Sequence, residues 1–196
     1  MKLDEAFYQR SDVVQISREL LGKKLVTKFD GKLTSGIIME TEAYAGITDR
    51  ASHAYGGRRT ARTEYMYHAG GIAYVYLCYG IHSLFNVVTN IDGIPHAILI
   101  RSVFPINGVK EMFARRKVNI KNPARLCPGP GTVSSALGIQ YSHTGLSLMQ
   151  NKIWIESTGT KVKDSNVLTT PRIGVDYAGS DALLPYRFIL KGIDLQ

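Results

Sequence analysis

The chain has 196 residues, 44% of them hydrophobic, and a formal net charge of +8 from 24 Lys and Arg against 16 Asp and Glu. Such a length and composition predict one globular domain with its own core, and no apolar run is long enough for a membrane span. The acidic, polar first ten residues are unlike a secretory signal peptide. The positive excess favours a polyanionic partner, with solubility alone as the alternative explanation.

The first part of the chain predicts a helix and then a hairpin. Residues 11–12 can cap a short helix that ends at Gly22, and residues 24–29 have the pattern of a strand. Asp30-Gly31 is a tight-turn signal, so we expect the return strand to run to about Tyr44.

The middle and the end of the chain predict further strands with two helices. Glycines and polar residues break residues 45–63 into irregular turns. Three strands joined by glycine-containing turns then predict an antiparallel meander, at 72–77, 84–89 and 97–103. Beyond it we expect helices at 107–118 and 133–137, a proline–glycine loop at 127–131, and strands at 153–156 and 187–191.

Two carboxylates lie near the end of the predicted return strand. Alternate residues of a strand share a face, so Glu40, Glu42 and possibly Tyr44 would point the same way. Beside aromatic side chains Glu42 can act as a general base on water, although a lone strand glutamate is usually just an exposed residue. The Glu40–Glu42 pair, about 7 Å apart, also suits a glycoside hydrolase.

The loop that follows is rich in arginine. Arg58, Arg59 and Arg62 beside Gly-Gly are candidate phosphate ligands, or simply a solvated loop. His53 in this loop can titrate or donate a hydrogen bond, but packing or surface exposure is the more common role of a lone histidine. Arg101 follows an apolar run and needs a carboxylate or water as its partner, with Glu42 as a candidate.

Aromatic side chains and one amide mark the meander. Tyr74 and Tyr76 share a strand face, so one or both can belong to the core, whereas Tyr79 at a glycine break should project outward. An exposed aromatic beside a basic loop can stack on a base or enter a duplex, or be an ordinary turn tyrosine. Asn86 in an apolar strand either braces the backbone or discriminates a base edge.

No metal site is expected. The remaining histidines and the two cysteines have no ligand spacing, and the cysteines suggest free thiols in a reducing compartment. These residues are His68, His82, His96, His143, Cys78 and Cys127.

Seven short segments, taken in order, carry a specific likeness to a known family. They are Glu40-Thr-Glu-Ala-Tyr44, Ala51-Ser-His53, Gly56-Gly-Arg58, Tyr74-Val-Tyr76, Tyr79-Gly80, Asn86 and Leu99-Ile-Arg101. Together they resemble the alkyladenine (3-methyladenine) DNA glycosylase family, from near residue 10 to near residue 190. The resemblance implies a single mixed α/β (α+β) domain over 1–196, with a curved, mainly antiparallel sheet flanked by helices. It implies no metal or other cofactor.

The resemblance also implies an activity: a monomer that excises alkylated or deaminated purines from duplex DNA, in the cytoplasm and at the nucleoid if the source is bacterial. Glu42 corresponds to the general base that activates water, and Arg101 and the Ile173 carbonyl to further ligands of that water. The implied purine pocket comprises Tyr44, Ala51, His53, Tyr76 and Asn86, with His53 also a hydrogen-bond donor. The implied DNA contacts are Tyr79 as a wedge with its neighbour Ile81, and Arg58 and Arg62 at phosphates.

One position departs from the family pattern, and two other functions remain open. Thr132 stands where the family usually has lysine, which puts a phosphate contact there in doubt. A non-catalytic nucleic-acid binding domain would use the same basic loop, but it gains nothing from a carboxylate facing a polyanion. A carbohydrate hydrolase using Glu40 and Glu42 fits poorly with the basic charge and the single tryptophan, Trp154.

Overall fold

The computed structural model describes residues 1–118 and 122–192. The chain forms a mixed α/β domain in which helices flank an antiparallel sheet, which confirms the expected fold class. The helices are α1 (Glu5–Tyr8), α2 (Val13–Glu19), α3 (Val109–Arg116) and α4 (Pro130–Leu137). The strands are β1 (Lys24–Phe29), β2 (Lys32–Tyr44), β3 (Ala73–Cys78), β4 (His82–Thr89), β5 (His96–Asn107), β6 (Ile153–Glu156), β7 (Val167–Thr170) and β8 (Arg187–Leu190).

The local signals near the start of the chain work as predicted. The Asp12 side chain accepts a hydrogen bond from the Gln15 amide and so caps α2. Asp30 and Gly31 both have positive φ, 50° and 74°, and turn β1 into β2.

The long strand β2 lies in the middle of the sheet. The strand order is β3-β4-β5-β2-β1-β6, and β8 also pairs with β2 and carries β7 on its other side. Every pairing is antiparallel, so the predicted meander of β3, β4 and β5 is confirmed. The β2–β5 register shifts on both sides of Glu40, which locally re-aims the side chains of β2.

The two faces of the meander have different roles, as the two-residue period of a strand requires. One face packs into the main core against the helices, with Val75, Phe85 and Ile98 fully buried. The opposite face presents polar and aromatic side chains, among them Tyr74 and Asn86. This face holds the candidate site.

Candidate active site

Glu42 is the buried acid of this site. It lies on β2 opposite Leu99 of β5 and Arg187 of β8, and its residue surface is 0% exposed. Oε2 accepts from the Tyr44 hydroxyl at 2.9 Å and from Arg101 Nη1 at 3.2 Å, and Oε1 accepts from the Ile173 amide at 2.8 Å. Three donors converge on one carboxylate, an arrangement that compensates a buried negative charge.

Arg101 joins the two glutamates that the sequence placed on one face. Its Nε donates to Glu40 Oε1 at 2.8 Å, in addition to the contact with Glu42. Glu40 also accepts from Arg187 Nε at 2.6 Å. Glu40 is therefore the counter-ion of two arginines.

A cavity of about 240 Å³ opens in front of this charge network. Aromatic rings form much of its wall, together with the Asn86 amide and Arg101. The five residues expected in a purine pocket all lie around this cavity, namely Tyr44, Ala51, His53, Tyr76 and Asn86. Ile173, whose carbonyl is the expected ligand of the water, lines it too. We call this cavity the aromatic pocket. Glu42 lies directly behind its wall, in contact with the wall residues Tyr44, Arg101 and Ile173.

The rings of the pocket are fixed by packing and charge. His53 and Tyr76 meet edge to face, with centroids 4.7 Å apart and planes at 84°. Tyr44 lies under the Arg172 guanidinium, 4.9 Å from its ring centre. Burial raises the pKa of the Tyr44 hydroxyl, and the charge of Glu42 raises it further, so Tyr44 remains a donor to Glu42.

His53 is neutral at ordinary pH. Burial lowers its pKa to about 4, with help from the charges of Arg62 and Arg58. Its Nδ1 lies 2.9 Å from the Tyr74 hydroxyl and its Nε2 lies 3.1 Å from Arg62 Nη2. Arg62 is thus bound to the pocket, with its guanidinium 4.9 Å from the Tyr76 ring centre.

Asn86 is buried and its amide braces the backbone. Nδ2 donates to the Tyr74 carbonyl at 3.1 Å and to the Leu84 carbonyl at 3.2 Å. In the part of the chain that the structure describes, no donor is recorded for Oδ1. The side chain therefore serves the backbone and still leaves an acceptor at the pocket, so both roles considered from sequence stay compatible.

The turn between β3 and β4 projects two apolar side chains. Tyr79 is 92% exposed and Ile81 is 74% exposed, and Tyr79 lies at the rim of the aromatic pocket. Tyr79 and Gly80 both have positive φ, 51° and 73°. A non-glycine residue in that conformation is uncommon, which suits a turn built to present its side chain.

The exposed basic residues beside the pocket differ in their partners. Arg59 pairs with Glu64 at 2.7 Å, whereas Arg62 is engaged with His53. The Arg58 side chain is exposed and has no recorded ion pair with the described residues.

Comparison with known proteins assigns the chain to a family. A model of the methylpurine-DNA glycosylase family matches residues 6–194. The chain belongs to this family. A relative from Chlamydia felis is 47% identical over 189 residues, 96% of each chain. Another, from Bacillus cereus strain G9842, is 42% identical over 202 residues, 98% of this chain and 97% of its own. Both relatives are named "Putative 3-methyladenine DNA glycosylase".

Membership makes the chain a DNA glycosylase of base excision repair, with DNA as its substrate. No group of three or more His, Cys, Asp or Glu among the described residues could hold a metal ion. Within those same residues, no helix is long and apolar enough to cross a membrane.

The glycosylase uses Thr132 for a purpose different from that of the expected lysine. Thr132 Oγ1 accepts from the Gly129 amide at 3.0 Å and donates to the Gly129 carbonyl at 2.6 Å. The side chain is therefore tied to the start of α4, and unlike a lysine it carries no positive charge to offer a phosphate.

Arg172 was not predicted as a site residue from the sequence, but it supports the site through buried contacts with Asp49, Ala43 and the Tyr44 ring. It is 6% exposed, donates twice to Asp49, and donates to the Ala43 carbonyl at 2.9 Å. Asp49 in turn accepts from the amides of Ala45 and Ala51, each at 3.0 Å. The only sequence hint was that Arg172 adjoins Ile173. Tyr177 was also missed; it lines the pocket and donates to the Ala51 carbonyl at 3.1 Å.

Proposed function

We propose that this glycosylase acts as a monomer that excises alkylated or deaminated purines from duplex DNA. The proposed substrates are of the 3-methyladenine, 7-methylguanine, hypoxanthine and ethenoadenine class. The observation that carries the proposal is the buried Glu42 carboxylate, held by three donors immediately behind an aromatic pocket. The reaction is a hydrolysis that needs no cofactor.

The damaged nucleotide leaves the duplex and its purine enters the aromatic pocket. Inside a stack the glycosidic bond is out of reach, and unstacking costs a few kcal/mol, less where pairing is already impaired. Contact of the purine faces with Tyr44, His53 and Tyr76 offsets this cost and favours cationic alkylpurines. Ala51 leaves room at the wall, and Asn86 screens substituents at the purine edge.

Glu42 then serves as general base for water. A carboxylate offers about four lone-pair positions and three are filled here, so one is left for a water hydrogen. Because Glu42 is 0% exposed, that water has to enter between the wall residues Tyr44, Arg101 and Ile173. Arg101 and the Ile173 carbonyl are proposed as the other ligands of this water. As the purine departs, the sugar gains positive charge, which the nearby carboxylate stabilises.

The flipped state is held from the DNA side by the turn and by the basic loop. Tyr79, with Ile81 beside it, fills the gap left in the stack, because both side chains are exposed and apolar. Arg58 and Arg62 contact phosphates, which requires Arg62 to bridge the pocket and the DNA backbone.

The test is base release by the Glu42→Gln variant from duplexes containing hypoxanthine or 3-methyladenine. Glutamine keeps the volume but cannot take a proton from water, so we expect single-turnover rates to fall by about 10²- to 10⁴-fold. Binding of the lesion duplex should survive. Full turnover by this variant would exclude Glu42 as the base.

Glu40→Gln is the matched control. Its carboxylate lies on the same strand but is held by Arg101 and Arg187. We expect a loss of less than about tenfold, because only the placement of Arg101 is disturbed. An equal loss in both variants would indicate a general collapse of the charge network.

A further inference from the structure

Three side chains at the pocket form a chain of hydrogen bonds. Arg62 Nη2 lies 3.1 Å from His53 Nε2, and His53 Nδ1 lies 2.9 Å from the Tyr74 hydroxyl oxygen. The Arg62 end is exposed, whereas Tyr74 is 2% exposed and lines the aromatic pocket. This series of hydrogen bonds therefore runs from the protein surface to the interior of the pocket.

Hydrogen-bond chemistry fixes the direction of this chain. A guanidinium can only donate, so His53 Nε2 must be the acceptor of the bond from Arg62. A neutral imidazole carries a single hydrogen, which is then on Nδ1. His53 therefore donates to Tyr74, and the hydroxyl oxygen is the acceptor.

The Tyr74 hydroxyl hydrogen is not used in this series of hydrogen bonds. Among the described residues no acceptor is recorded for it, and burial raises the pKa of this hydroxyl, so the hydrogen stays in place. Tyr74 lines the aromatic pocket, and because its hydroxyl oxygen already accepts from His53, the hydroxyl hydrogen is what it has left to offer a ligand there. A buried donor without a partner is costly, which favours a ligand that supplies an acceptor.

We propose that Arg62 and His53 are positioning residues that make Tyr74 a donor to the purine edge, so that the pocket prefers a 6-oxopurine to a 6-aminopurine. The preference rests on the proposed function; the direction of the hydrogen-bond chain does not. The carbonyl of hypoxanthine accepts such a bond, whereas the exocyclic group of 3-methyladenine carries hydrogens that face the donor.

The direction is tested without DNA by ¹⁵N NMR of the His53 ring at pH 7. We expect the hydrogen on Nδ1 in the parent protein and its transfer to Nε2 in Arg62→Met, where the fixed donor is gone. A hydrogen on Nε2 in the parent protein would overturn the proposal, whether or not the protein excises any base.

The preference is tested by the ratio of single-turnover excision rates for hypoxanthine and 3-methyladenine. In Tyr74→Phe we expect this ratio to fall about fivefold to tenfold, the effect of one neutral hydrogen bond. Arg62→Met should lower the ratio similarly although Tyr74 is intact, because Tyr74 then donates to His53. Combining the two substitutions should give no further fall in the ratio.

Arg58→Met is the matched control, since it removes a neighbouring charge but leaves the bond from Arg62 to His53. It should slow both lesions alike and leave the ratio unchanged. An unchanged ratio in both Tyr74→Phe and Arg62→Met, with excision measurable, would overturn the preference. Loss of excision in every protein including the parent would instead contradict the proposed function, with the NMR result still deciding the direction.

Discussion

His53 makes folding of the glycosylase sensitive to pH. Burial and the charges of Arg62 and Arg58 lower its pKa to about 4, from 6.5. Between these values the unfolded chain binds a proton that the folded chain does not, so stability falls as pH drops from about 6.5 to about 4. The loss from this one group is at most about 3 kcal/mol.

Urea unfolding at pH 7 and at pH 4.5 measures this effect. His53→Gln should reduce the difference between the two free energies of unfolding. His68→Gln, at an exposed histidine, should leave the difference as in the parent protein. Equal pH dependence in the parent and in His53→Gln would contradict the assignment.

Some of the site residues could be predicted from the sequence for clear physical reasons, and others could not. The two-residue period of a strand was enough to group Glu40 with Glu42, and the apolar run before Arg101 indicated that it needs a carboxylate. Arg172 gave no such signal, because a buried arginine is recognisable only once its partner Asp49 is known to be near.

The β3–β4 turn is the element that should hold DNA open. In Tyr79→Ala we expect binding of a lesion duplex to weaken about tenfold more than binding of an undamaged duplex, because only the flipped state leaves a gap to fill. Fluorescence anisotropy with both duplexes measures this. Ile91→Ala, which removes an exposed apolar side chain from another turn, should change neither affinity. Equal weakening on both duplexes would argue against a wedge.

Elements with strong local signals were predicted well. The turn at Asp30-Gly31, the glycine-containing turns of the meander, the helix α2 and the meander strands all follow from turn chemistry and periodicity. Strand β5 continues to Asn107 and β7 was missed altogether. β7 is held by its pairing with β8. Its residues are only slightly buried, so they have no apolar pattern from which the strand could be predicted.

At the scale of the whole molecule, the net charge of +8 should act through phosphate contacts. Each contact releases counterions, so log affinity falls with log salt concentration, and removing one contact should make this negative slope shallower by about 0.9. We expect this change for Arg58→Met on duplex DNA. Arg18→Met, which removes a cation paired with Asp164, should leave the slope unaltered. A parent-like slope in Arg58→Met would remove Arg58 from the DNA interface.

The Arg172–Asp49 pair has a consequence for what the glycosylase can accept. Arg172 precedes Ile173, and its partner Asp49 lies in the segment that leads to His53. Their buried ion pair therefore connects two sides of the pocket. Moving one side away from the other would separate Arg172 from Asp49 and leave a buried charge without its partner. We therefore expect the two sides of the pocket to resist separation when a base larger than the pocket is offered.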